Sequence, residues 1–122
     1  MALVLIVLDE PDTLLMVRHA LETWGHQAVL AADADTALER LAALPIDVVL
    51  LDVMMPVRDG WTVLEALGAP SRPPVIVLSG RAGTADLKRA QRRGAVDALA
   101  APYTPQELNQ AVASALVGRD VS

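Results

Sequence analysis

The run LVLIVL (3–8) is the feature that most constrains this chain. Six apolar residues without polar alternation cannot leave one face in water, so the segment reads as a strand covered on both faces, as in a parallel sheet between helices. Four further short apolar segments look like its partners: HQAVLA (26–31), IDVVLLD (46–52), PVIVLS (74–79) and VDALAA (96–101). Stretches of helical period separate them. Leu14, Leu15, Val17, Arg18 and Leu21 mark the first, Ala34, Ala37, Leu38 and Leu41 the second, and Val63, Leu64 and Leu67 the third. A fourth covers 84–93 and a fifth 105–117, where Thr104 and Glu107 form a capping box around Pro105 at the first helical position. Strict alternation of strand and helix predicts an α/β fold with right-handed crossovers and helices on both faces of the sheet.

Composition sets the limits. With 122 residues, 53% hydrophobic content and mean hydropathy +0.39, the chain suits one compact domain over 1–122, with GRDVS (118–122) as a loose tail or the stump of a linker. A net charge of −5 and a pI near 4.8 weigh against direct nucleic-acid binding and against adhesion to anionic membranes. No cysteine is present, which excludes disulfides, thiolate metal sites and cysteine nucleophiles. MALVLIVL is too short for a membrane span, lacks a basic leader and runs into acids, so a cytoplasmic protein is the expectation.

Parallel strands put all their carboxyl ends on one edge, where Asp9, Asp52, Ser79 and Ala101 gather. Taken alone, DEPD (9–12) reads as a helix start: Pro11 suits the first turn, Asp9 or Glu10 can cap the free amides, and Asp12 suits the positive end of the dipole. With strand order 2-1-3-4-5 the first and third strands are neighbours, about 4.8 Å apart, and Asp9 and Asp52 converge. Two carboxylates that close repel, which a raised pKa or a bound cation resolves. Oxygen-only ligands favour a hard ion, and Mg²⁺ suits this set better than Zn²⁺, with a backbone carbonyl of DVMMP (52–56) as a further ligand.

VLIVLDEPD, DVVLLDVMMPVRDG, PVIVLSG, GAVDALAAPY and TPQEL fall in the order and at the spacing of response-regulator receiver domains, and the chain resembles that chemotaxis-regulator-like family from Leu3 to about Val117. The resemblance implies a flavodoxin-like (βα)₅ fold and Mg²⁺-dependent transfer of a phosphoryl group from a sensor histidine kinase or phosphotransfer protein to an aspartate, which here matches Asp52. Asp9 then matches a metal-binding acid and Met54 the residue whose carbonyl ligates the ion. Ser79 matches the hydroxyl that contacts the phosphoryl group, and Gly80 the small residue beside it. A cis peptide between Ala101 and Pro102 is also implied. Such a domain is a phosphoacceptor, at most self-phosphorylating and self-dephosphorylating slowly, and not an enzyme in the ordinary sense.

Three departures stand beside these matches. Leu8 occupies the place of the first of two adjacent acids, Ala101 that of a lysine, and Ala98 that of an aromatic residue whose rotation is coupled to the fourth strand's hydroxyl. The site has lost a charge of each sign, which weakens metal binding and removes a cation aimed at the phosphoryl oxygens. Arg58 and Arg81, on loops at the same edge, are either substitutes or solvated loop residues. A degenerate receiver that binds partners without phosphorylation is therefore the competing function. A flavin or dinucleotide binder is a third, disfavoured because DEPD offers acids where a phosphate loop needs glycines.

Arg81, Lys88, Arg89, Arg92 and Arg93 hold half of the ten basic residues. They make either a solvated helix face or part of the output surface that the family forms from the fourth helix, fifth strand and fifth helix. Asp97 survives there, but the fifth helix is nearly uncharged before Arg119. His19 and His26 lack partners at metal-ligand spacing and read as surface or edge residues, and Trp24 and Trp61 as helix-end packing.

Overall fold

A computed structural model of the chain describes residues 2–52, 64, 73–79, 88, 92, 94–100 and 103–121. The five apolar runs form strands β1 (Leu3–Val7), β2 (Gln27–Ala31), β3 (Val48–Asp52), β4 (Val75–Ser79) and β5 (Asp97–Ala100). All four pairings are parallel and the order is β2-β1-β3-β4-β5, as the sequence predicts. Three helices are described along their length: α1 (Pro11–Thr23), α2 (Ala34–Ala43) and α3 (Pro105–Val121). Leu64, Lys88 and Arg92 are helical too.

The lack of alternation in the strands has the expected cause, since both faces of the sheet are covered. Leu5, Val7, Val49, Leu51, Val75 and Val77 face a core completed by Ala34 and Ala37 of α2 and by Leu64. Val4, Ile6, Val48, Leu50, Ile76 and Leu78 face the opposite core, closed by α1 and α3. The helical period shows in what is buried, Val17, Ala20 and Leu21 on α1 and Leu108, Ala111, Val112 and Ala115 on α3. Each large apolar side chain taken out of water contributes on the order of 1.5–3 kcal/mol.

Local signals end the helices. At the C-terminus of α1, Gly25 takes φ +89, a left-handed conformation that only glycine enters cheaply. Its amide donates to Glu22 at 3.0 Å and that of His26 to Leu21 at 3.1 Å, the paired bonds of a Schellman stop. At the start of α3, the Thr104 amide donates to Glu107 Oε1 and the Glu107 amide to Thr104 Oγ1, each at 3.1 Å, so the capping box forms.

Some boundaries differ from the sequence reading. His26 precedes β2, and its Nδ1 accepts the Ala2 amide at 3.2 Å. Helix α3 continues beyond 117 through 118–121, part of the segment that composition alone leaves loose. Trp24 does sit at the end of α1, but 59% exposed rather than packed away. No helix among the described residues is long and apolar enough to cross a membrane.

Candidate functional site

The carboxyl edge of the sheet is built from the last residues of the strands. Val7 pairs with Leu51, so Asp52 comes level with Leu8, and Asp9 lies one residue further on. The Leu8 amide donates to the Ala31 carbonyl at 3.0 Å, carrying the ladder one step past the end of β1. Asp9 is thus the first residue to leave the sheet. It and Asp52 are both half-buried, where two adjacent inner strands end.

Either Asp9 or Glu10 could have capped α1, and Glu10 does. Its carboxylate accepts from the amides of Asp12 (3.1 Å) and Thr13 (2.6 Å) and from the Thr13 hydroxyl (2.5 Å). The Thr13 hydroxyl and then these amides hold the Glu10 carboxyl below its ordinary pKa. A depressed carboxylate stabilises the fold at pH above its unfolded value, and that contribution is lost as pH falls through the lowered one. Glu10 is committed to the helix, while Asp9 takes no part in the cap.

Alternation along β3 puts Asp52 on the same face as Val48 and Leu50, the side covered by α1 and α3. Leu8 belongs to that core and is 2% exposed. Where the family resemblance expects an acid, an apolar wall therefore stands beside Asp52. Ala98, in the place of the coupled aromatic, packs partly buried against the opposite core, beside Val77. Ser79 ends β4 level with Ala100. Met54, Gly80, Arg58, Arg81, Trp61 and the Ala101–Pro102 bond lie outside the described residues.

One residue at this edge has no role in the sequence reading. Tyr103 is half-buried against the α1/α3 core, and burial first, then the charge of Asp52, pushes its phenol above the ordinary value. It is the single tyrosine of the chain and the last residue of GAVDALAAPY, a segment in which the sequence gives it no role of its own.

The donors available for a cation are oxygens. Among the described residues no group of three His, Cys, Asp or Glu side chains could hold a metal, so Asp9 and Asp52 are a partial set. Two carboxylates without histidine or cysteine suit a hard ion that keeps much of its water, and in that respect they fit Mg²⁺.

Comparisons with known proteins agree with this architecture. The family model described as response regulator receiver domain matches residues 4–113. The transcriptional activator protein IrlR of Burkholderia pseudomallei is 37% identical over 113 residues, covering 93% of this chain and 49% of IrlR. The transcriptional regulatory protein KdpE of Mycobacterium tuberculosis is 38% identical over 107 residues, 88% of this chain and 47% of KdpE. The chain thus spans about half the length of the curated relatives it matches. Among solved structures, the Francisella response regulator 1452 receiver domain superposes with TM-score 0.90 at 27% identity, over 98% of this chain and 99% of that one. The receiver domain of NtrX from Brucella abortus does so with TM-score 0.88 at 30% identity, over 93% and 98%.

Proposed function

The chain belongs to the response regulator receiver domain family of two-component systems, whose members take a phosphoryl group on an aspartate, and from that premise we propose that Asp52 is its acceptor. The observation that supports this reading is the placement of Asp52 and Asp9 where two adjacent inner strands end, both half-buried, with Glu10 rather than Asp9 spent on the helix cap. An Asp52 carboxylate oxygen attacks the phosphorus of a phosphohistidine or small acyl phosphate. The new O–P bond forms as the bond to the leaving group breaks, and the leaving group keeps that electron pair. Asp9, Asp52 and the Met54 carbonyl would hold Mg²⁺, which when bound offsets charge on the phosphoryl oxygens. Ser79 supplies the hydroxyl contact.

The donor is a sensor histidine kinase or phosphotransfer protein in the cytoplasm. The output partner docks at the basic stretch 84–93 together with β5 and α3, and the names of the curated relatives suggest transcription as the output. Catalysis by the domain itself is limited to slow phosphorylation and dephosphorylation of Asp52.

Incubation with Mg²⁺ and acetyl phosphate is expected to add the mass of one phosphoryl group to the intact protein, and Asp52→Asn to abolish the gain. One observation favours the competing reading, a binding module that works without phosphorylation: Leu8 is buried where an acid belongs. A folded parent that gains no mass would establish that alternative.

Mg²⁺ affinity separates the two upstream acids. Asp9→Asn is expected to weaken binding at least as much as the roughly tenfold that loss of an outer-shell partner costs. Glu10→Gln leaves the affinity unchanged and lowers the thermal midpoint instead, because its carboxylate serves the N-terminus of α1. Calorimetric titration of both variants decides it, and unchanged affinity in Asp9→Asn removes Asp9 from the site.

A further inference from the structure

With alanine at position 101, the site lacks the cation that the family directs at the phosphoryl oxygens. A different donor stands on the same side of the sheet. Tyr103 lies between the end of β5 and the capping box of α3, and its ring packs against the core that contains Leu8, Leu50 and Leu78. Asp52 follows Val48 and Leu50 on that face, at the same edge. Both side chains are half-buried there, and burial first, then the Asp52 charge, raises the phenol's pKa. A phenol keeps its proton at neutral pH, so Tyr103 is a hydrogen-bond donor. Among the described residues nothing accepts a bond from its hydroxyl.

We propose that the Tyr103 hydroxyl donates a hydrogen bond to the phosphoryl group carried by Asp52, supplying in neutral form part of what a lysine at position 101 would supply. The inference rests on Asp52 being the acceptor. A phosphoryl group presents anionic oxygens to the half-buried side of the edge, and an O–H donor to such an oxygen makes a charge-assisted bond. The ring is already packed, so little side-chain freedom is lost when the bond forms. A neutral donor stabilises the developing charge less than an ammonium does, so transfer is slower than with lysine.

The full chain tests this directly, because a single tyrosine yields a single fluorine resonance after fluorotyrosine incorporation. With Mg²⁺ and acetyl phosphate, that resonance is expected to shift in step with the mass gain, and to stay in place in Asp52→Asn. Tyr103→Phe keeps the ring and removes the donor. It should gain mass about tenfold more slowly, as loss of a hydrogen bond to a charged group implies, at an unchanged thermal midpoint. A parental rate in Tyr103→Phe, or an unmoved resonance in a parent that does gain mass, overturns this inference and leaves Asp52 as the acceptor. No mass gain in the folded parent overturns both.

Discussion

Leu8→Asp is expected to destabilise the metal-free protein by about 3 kcal/mol and to make its stability depend on Mg²⁺. Leu8 is buried in the α1/α3 core, level with Asp52 on the neighbouring strand. The substitution removes apolar packing from that core and sets a second carboxylate beside Asp52, where the surroundings screen their repulsion poorly. For a chain of this length the loss corresponds to a fall of roughly 10 °C in the thermal midpoint. A cation bound between the carboxylates reverses the balance, since a ligand that binds only the folded state at a hundred times its Kd returns about 2.7 kcal/mol. Denaturant unfolding of parent and variant, each with and without Mg²⁺, measures both effects. If Mg²⁺ stabilises the variant no more than the parent, position 8 lies outside the metal site.

The second large effect is expected from Asn109→Asp, at about 3–5 kcal/mol. Asn109 is 1% exposed on the face of α3 that meets α1. Its Nδ2 donates to the carbonyls of Ala20 (3.2 Å) and Pro105 (2.9 Å). Ala20 lies in the last turn of α1, and the amide four residues on, that of Trp24, turns instead to Leu21 and Glu22. Asn109 therefore satisfies a helix-end carbonyl from another helix. A carboxylate there would replace the donor with buried charge facing two carbonyl oxygens. Protonation relieves this, so the folded-state pKa of the new carboxyl is raised. The full cost is felt as pH rises through that value, and part of the stability returns below the unfolded one. Asn109→Leu is the control. It removes the bonds to Ala20 and Pro105 but also a buried Oδ1 that has no partner among the described residues, and should cost only about 1 kcal/mol. Equal losses in the two variants, or no recovery of Asn109→Asp in acid, would show that a buried charge at position 109 costs little.

Much of the architecture was legible because its signals are local. A strand buried on both faces shows as an apolar run without alternation, and Leu3–Val7 and Val48–Asp52 carry that signal whatever surrounds them. The capping box at Thr104 and Glu107 closes within one turn, and Gly25 stops α1 with bonds to residues just behind it. Strict alternation of strand and helix, combined with right-handed crossovers, then leaves few sheet orders to choose from. The positions of Asp9 and Asp52 at one edge follow from that order alone.

What sequence reasoning left open depends on contacts between residues far apart in the chain. Asp9 and Glu10 are chemically almost interchangeable, and only the path of the backbone out of β1 decides that Glu10 turns to the amides of α1 while Asp9 stays at the sheet edge. Tyr103 and Asp52 are 51 positions apart and share no motif, and packing against the α1/α3 core sets the phenol on the face of the sheet that carries the carboxylate. Asn109 carries no signal of burial, because a polar residue on a nearly uncharged helix reads as exposed until α1 presents it with a carbonyl. The sequence by itself determined which segments become strands and helices and which ends carry acids, since those properties depend on neighbours within a few residues. Tertiary structure alone decided which acid is spent on the cap, which residue walls Asp52 and which hydroxyl shares its face of the sheet, because only packing sets distances between separate elements.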